Sequence, residues 1–382
     1  MKLVYIIKSF AMQAGTERVT SDKMNCWAEQ GIEVTLITYE QGEHSHAFPL
    51  HSSIRHIDLN TRFFVIEKYG ILKRIPLLYR MRKQFLSRLQ NTLDEIQPDI
   101  VLATSYSLKM LDIILSVKTH ARRIIESHAP CFTIQKSYIH RDNSLLHFIL
   151  LFYDKWMLSK VAKADQLVAL TEGDAKEWKK YTTKITIIPN PITTFPDSVK
   201  QHDGTNKRVI CVGRLHKEKR WNLVIDAFAQ IAKQCSGWKM VIVGFGEEKL
   251  NLLNQIQRYN LSDCIAINSS APDVYAEYQN SEFSVLSSKY EGFGLVLIEA
   301  MSCGIPCVSF RCKYGPESII SDGKDGLLVE DGNVKELAEK MHWMMTHTEE
   351  RLQMGIKARE NVRRFKQIQV MRQWTDLFDK ML

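Results

Sequence analysis

The segment 283–310 changes character several times within 28 positions. A largely apolar run at 283–286 predicts a buried strand, Gly292 and Gly294 a tight loop, and the apolar run 295–301 a helix stopped by Gly304 and Pro306 before another apolar strand. In that arrangement Gly294 and Leu295 present backbone N–H groups at the positive end of a helix, which suits an anion such as a diphosphate. Glu299 lies more than one turn into the same helix, among apolar neighbours, where a buried carboxylate needs a partner. A ribose hydroxyl and a local protein contact both meet that need. Glu291, eight positions earlier on the loop, is placed either at the far end of the same ligand or in solvent. The bare pattern also describes an ordinary strand, loop and helix.

The Glu291-x7-Glu299 spacing resembles the signature of the retaining glycosyltransferases of family four, also called group 1. The resemblance implies an α/β chain of the GT-B fold, two facing Rossmann-like doubly wound parallel-sheet domains with an interdomain cleft. Other segments are similar to the same family. Around Gly213-Arg214-Leu-His-Lys-Glu-Lys219 the chain reads as a strand, a glycine turn and basic residues before a helix over 222–233, and it matches Gly-Arg-Leu-x-x-x-Lys residue for residue. Two cations there fit a diphosphate, Arg214 as a planar fork and Lys219 as a point charge, or else a solvated basic turn. Gly15 and Thr16, between the first strand and a helix over 16–30, stand in a loop similar to the family's Gly-Gly-x-Glu-Arg, with Ala14 at the first glycine. His128 ends the strand carrying Glu126-Ser127-His128, where family members place a histidine that faces the transferred sugar. Taken alone, a histidine there reads as a packed or hydrogen-bonded residue. Gly244, in a Gly-Phe-Gly turn, is a weaker nucleotide signal. The stretch 265–272 departs from the aromatic-Leu-Gly turn common among relatives.

Composition narrows the alternatives. The 382 residues suffice for two domains, and no run of about 18 apolar residues occurs, so no transmembrane helix is expected. The N-terminal apolar run closes at Lys8, too soon for a signal-peptide core, which points to the cytoplasm. Cys303, Cys307 and Cys312 lie close in sequence without a Cys-x2-Cys pair or spaced histidines, so no structural zinc is expected. The net charge of +8 is concentrated at 62–88, where Lys and Arg interleave with Phe63, Phe64, Tyr69, Leu72 and Tyr79 and Glu67 is the only acid. That stretch fits peripheral contact with an anionic membrane, on the inner face of the plasma membrane, or a solvated basic helix. Without a recognition motif it does not indicate nucleic acid. The apolar stretch 145–158 is too short to span a bilayer and reads as a helix packed on the first domain.

The expected organisation is a first domain at 1–192, a polar linker at 193–207 and a second domain at 208–365. The resemblance implies that a last helix, about 366–382, packs back on the first domain. It also implies transfer of a sugar from a nucleotide-diphosphate donor, UDP favoured over GDP, with retention, to an acceptor hydroxyl, and the basic, aromatic stretch 62–88 points to a lipid-linked oligosaccharide or surface polysaccharide as that acceptor. The implied catalytic residues are His128, Arg214, Lys219 and Glu291. The implied donor-binding residues are Gly15, Thr16, Gly213, Gly244, Gly292, Phe293, Gly294, Leu295 and Glu299. No cofactor and no metal are expected, because Arg214, Lys219 and the helix N-terminus would neutralise the departing diphosphate and no Asp-x-Asp motif occurs. A sugar phosphorylase or epimerase of the same fold, and a non-catalytic nucleotide-sugar-binding assembly protein, are the alternatives.

Overall fold

The N-terminal apolar run forms β1 (Lys2–Ile7), in which only the first residue is exposed. A strand buried on both faces belongs in the middle of a parallel sheet covered by helices. In the computed structural model, which describes residues 1–105, 108–139, 144–199, 204–269, 271 and 273–382, β1 lies between β2 (Glu33–Thr38) and β4 (Ile100–Thr104). With β3 (Arg55–Asp58), β5 (Arg122–Ser127), β6 (Gln166–Ala169) and β7 (Ile185–Ile187) these make a seven-stranded parallel sheet ordered β3-β2-β1-β4-β5-β6-β7. The chain divides into two compact units, Met1–Pro189 with Met371–Leu382, and Asn190–Val370.

The helices of the first unit include α1 (Gly15–Glu29), α2 (Ile71–Ile96), α3 (Leu108–Ile114) and α4 (Ser144–Ser159). On α1, Val19, Lys23 and Trp27 recur at four-residue spacing and all are buried, so a lysine occupies the core-facing stripe. The expectation that 145–158 packs on the first domain holds for one side only. Met157 and Leu158 are buried and Asp154 accepts the Ser137 backbone N–H at 2.7 Å, whereas Leu145, Phe148, Ile149, Phe152 and Trp156 are exposed. The segment is mostly apolar, interrupted by His147, Asp154 and Lys155, and the body of the unit covers only part of its circumference. Among the described residues no helix is long and apolar enough to cross a membrane.

The second unit holds β8 (Arg208–Val212), β9 (Lys239–Val243), β10 (Ile265–Asn268), β11 (Phe283–Leu286), β12 (Cys307–Phe310) and β13 (Gly326–Val329), all parallel and ordered β10-β9-β8-β11-β12-β13. Its helices include α5 (Trp221–Ile231), α6 (Leu295–Ser302), α7 (Val334–Thr346) and α8 (Thr348–Asn361), and α9 (Gln367–Met381) runs on into the residues grouped with the first unit. The described part of 193–207 groups with the second unit, where the Phe195 ring receives Arg359 at 4.6 Å and Lys366 at 4.3 Å. Positions 200–203 of the expected linker, Ser270 and Pro272, and the side chains of Glu67 and Ile71 lie outside the described residues.

α6 is apolar nearly all round and correspondingly buried at Leu297, Ile298, Ala300 and Met301, each burial contributing roughly 0.8 kcal/mol per buried methylene. It ends as a Schellman turn: Gly304, at φ +78°, donates to Met301 O at 3.0 Å and Ile305 donates to Ala300 O at 3.4 Å. In each sheet the strand order reverses once, between β1 and β4 and between β8 and β11. Ligands of open α/β sheets bind outside the carboxyl ends of strands at such points.

Candidate functional site

In the second unit, the loops that leave β8 and β11 carry most of the residues singled out by sequence. β8 runs into Gly213 and Arg214, and a single turn of 3-10 helix then brings round Lys219, whose Nζ lies 2.6 Å from Glu291 Oε1. Both side chains are largely withdrawn from solvent, at 15% and 13% exposure. Ser288 Oγ donates to the same Glu291 oxygen at 2.6 Å, and Ser287 Oγ donates to Lys219 O at 2.6 Å, so the two loops are tied at side chain and backbone. Arg214 is half exposed and pairs loosely with Glu218 at 3.5 Å, which leaves its guanidinium directed largely at water.

Arg220 was not singled out by sequence, yet it holds this assembly. It adopts a left-handed φ of +51°, unusual for a side chain of that size. From there it donates to the carbonyls of Ser287 and Ser288 at 2.9 and 2.8 Å and pairs with Asp331. A basic residue closing a basic run carries no pattern that distinguishes this clamp from a solvated charge.

Beyond Glu291 and Gly292, Gly294 sits at φ +104° as the residue that opens α6, and no side chain caps the first turn. The backbone N–H groups at Leu295 and the next residue are therefore offered to an anion rather than to a serine or aspartate. Phe293, just before Gly294, is buried and meets Phe365 edge to face at 5.3 Å, so its ring fixes the loop from beneath. Glu299 is half-buried, and the Tyr278 hydroxyl donates to its Oε2 at 3.5 Å, a long contact. Burial first, and then the neighbouring Glu299 charge, push the Tyr278 phenol well above its usual range, so it stays a donor. Gly244, expected in the donor site, follows β9 and packs tightly against the loop after β8. A Cβ there would stand 2.0 Å from Gly213 O, so the residue lets the β8 and β9 loops close against one another.

In the first unit, Gly15 is exposed and Thr16 half-buried at the start of α1, and Ala14 before them is extended at φ −128°. That conformation is open to any residue, so alanine in place of the family's glycine costs the backbone nothing. His128 follows β5, and its Nε2 lies 3.2 Å from Glu126 Oε2 and 3.5 Å from the Tyr5 hydroxyl. Tyr5 also donates to Glu126 Oε2 at 2.6 Å, while Lys23 pairs with Glu126 Oε1. Lys23 Nζ stands 4.9 Å from the Trp374 ring centre and 5.6 Å from that of Tyr5. Burial alone would raise the Glu126 carboxyl; the charges of His128 and Lys23, with their hydrogen bonds, overturn that and hold it far below the usual range. The same burial weakens the hold of Lys23 on its proton against the pull of Glu126. The Glu126 direction decides the state of the pair, because both of its oxygens are engaged by donors. Next to it, Ser127 Oγ donates at 2.6 Å to Asp174, whose carboxyl burial pushes up to about 6. Lys23 and Tyr5 went unread in the sequence, although Lys23 falls in step with Val19 and Trp27.

All eight cysteines are free, and burial raises the Cys303 thiol to about 12. Among the described residues no group of three His, Cys, Asp or Glu is placed to hold a metal ion.

Two family models match the chain almost end to end: "Glycosyltransferase Family 4" over residues 14–194 and "Glycosyl transferases group 1" over residues 195–361. An uncharacterized glycosyltransferase of Haemophilus influenzae is 28% identical over 364 residues, covering 94% of each chain. The amylovoran biosynthesis glycosyltransferase AmsD of Erwinia amylovora is 25% identical, with 99% of each chain covered. Among solved structures, HepE of Anabaena, crystallised with UDP and glucose, superposes with a TM-score of 0.74 over 99% of each chain at 18% identity, a likeness of fold. The two parallel sheets, the paired loops at the β8/β11 reversal and the matching family models agree: this chain belongs to the group 1 glycosyltransferases and has their GT-B fold.

Proposed function

We propose that the protein is a retaining glycosyltransferase that uses a nucleotide-diphosphate sugar, a UDP-sugar in preference to a GDP-sugar, and a hydroxyl of a lipid-linked oligosaccharide or surface polysaccharide as acceptor. The observation that carries this is the partly buried Lys219–Glu291 pair, with Glu291 directly before the uncapped first turn of α6. In the reaction the bond from the anomeric carbon to the diphosphate breaks and the diphosphate leaves with the bonding pair. The acceptor oxygen bonds to the same face of that carbon and gives up its proton to the departing diphosphate. Charge accumulates on the diphosphate, and Lys219, Arg214 and the N–H groups at Gly294 and Leu295 stabilise it, in the manner of preorganised donors. These groups supply the positive charge themselves, so the reading needs no metal ion. Glu291 orients Lys219 and reaches the donor sugar, Glu299 accepts from the ribose, Gly15 and Thr16 approach the donor, and His128 bonds a hydroxyl of the transferred sugar.

Relatives support the polymer acceptor. AmsD is named for amylovoran biosynthesis, and the UDP and glucose bound to HepE favour a uridine donor. The basic stretch 62–88 supports peripheral contact with an anionic membrane, where a lipid-linked acceptor would be met. The test is release of nucleoside diphosphate from a panel of nucleotide sugars, with a chelator throughout, by wild type and by Lys219→Ala. One donor is expected to turn over, and the variant to lose about 10²–10³ in rate. Donor binding without turnover, acceptors present, would return the protein to a non-catalytic role. Turnover that requires inorganic phosphate as co-substrate would make it a phosphorylase.

A further inference from the structure

The outward side of α4 carries exposed apolar side chains that the proposed reaction does not use. Leu145, Phe148, Ile149, Phe152 and Trp156 fall on one helical face, and three of them are 58–62% exposed. α2 carries a similar stripe, in which Leu72 (87% exposed), Ile75 and Tyr79 recur at i, i+3 and i+7. The two helices are neighbours across α3. Leu78 and Arg82 of α2, Met110 of α3 and Tyr153 and Trp156 of α4 line one cavity of about 170 Å³. Asp112 of α3 binds Arg82 and, at 2.7 Å, Lys160 just beyond α4, and Lys160 lies 3.7 Å from the Trp156 ring centre.

Charge decides what such a face meets. Lys73, Arg74, Arg80 and Lys83 are exposed, and no acidic residue occurs from Leu72 to Leu93. A second copy would set the same positive surface against itself. The complementary partner is anionic and accepts aliphatic as well as aromatic side chains, which describes a lipid surface rather than a nucleic acid. A basic patch or one apolar insertion alone holds a protein only weakly on a bilayer, whereas two such signals together hold it firmly.

We propose that α2 and α4 form one lipid-facing surface that seats the enzyme on an anionic bilayer, with α4 supplying the apolar insertion and α2 the charge. This deepens the reading of a membrane-borne acceptor and rests on it, but vesicle binding needs no donor and donor turnover needs no membrane, so the two fail separately. The experiment is co-sedimentation of the full chain with vesicles of phosphatidylcholine, with and without phosphatidylglycerol. Wild type is expected to bind only the anionic vesicles and to be released by salt. Phe148→Ser/Phe152→Ser/Trp156→Ser is expected to weaken binding at least about tenfold while donor turnover in solution is kept, which also certifies its fold. Lys73→Ala/Arg80→Ala/Lys83→Ala is expected to remove the salt-sensitive part. Equal binding to neutral vesicles, no binding, or an unchanged affinity in the α4 variant would overturn the proposal. So would a wild-type dimer that the α4 variant converts to monomer, since the face would then be a protein interface.

Discussion

Removing the lysine beneath His128 tests whether the buried pair holds the first unit together. In Lys23→Met the apolar stem is nearly preserved, so packing against Trp374 and Tyr5 survives and the ammonium alone is lost. The side chains of Lys23 and Glu126 are 0% and 1% exposed, so no water is at hand to replace the missing partner. Breaking one side of a buried pair costs about 3–5 kcal/mol, because the remaining charge stays desolvated. For a unit of about 200 residues, where 1 kcal/mol shifts Tm by roughly 2–4 °C, calorimetry of the full chain should show a fall of about 6–20 °C. The pH dependence comes from the Glu126 shift. Its folded carboxyl is held below its unfolded value of 4.5, so its stabilisation is complete above that pH and is lost as pH falls toward the folded value. Without Lys23 that folded value rises toward 4.5, so the acid loss still begins near the unfolded value but should be smaller and end at a higher pH than in wild type. Asp174 acts in the opposite sense, since its raised carboxyl makes its contribution decline as pH rises toward about 6. It is present in both proteins, so the difference between them isolates Glu126. Lys23→Met/Glu126→Gln, which removes both charges, should recover most of the lost Tm. A single variant that melts within about 2 °C of wild type, with the same acid limb, would refute the coupling.

Two further outcomes concern the second unit. Glu299→Gln keeps the shape but weakens a charge-assisted hydrogen bond, so KM for the donor should rise about tenfold with kcat little changed; steady-state kinetics with an unchanged KM would remove Glu299 from the donor site. Gly244→Ala forces a methyl to within 2.0 Å of Gly213 O, whereas Gly31→Ala in the first unit, also at positive φ, meets no atom within 4 Å. Urea unfolding should therefore show a loss of more than about 2 kcal/mol for the first and about 1 kcal/mol for the second; similar losses would mean that backbone conformation, not space, sets the cost.

What could be read from the sequence was local. The strand, glycine loop and helix from Phe283 to Gly304 are signalled by consecutive residues, and α6 begins at Leu295 and ends one residue beyond the expected position. The α5 reading, 222–233, runs past the observed Trp221–Ile231 because nothing in the apolar spacing marks its end. Glu126 and Lys23 are 103 positions apart, and neither residue alone says that the other lies beside it. The exposure of α4 was hidden for a related reason: a mostly apolar segment is compatible with burial on nearly every side, and only the rest of the unit determines how much of it is covered.

The Lys219–Glu291 pair stands between these cases. Its residues are 72 positions apart, and neither loop predicts the other. Their strands, β8 and β11, are nonetheless neighbours because the sheet reverses its order there, and a reversal leaves the two departing loops diverging from adjacent strand ends. Parallel strands bring both loops to the same edge of the sheet. A basic turn after one strand and an acidic glycine loop after the other are therefore carried to one place by topology alone, and the short serine and Arg220 contacts fix the remaining distance. Recognition of the two motifs in sequence thus amounted to recognition of a contact, once the parallel alternation of strand and helix had been read.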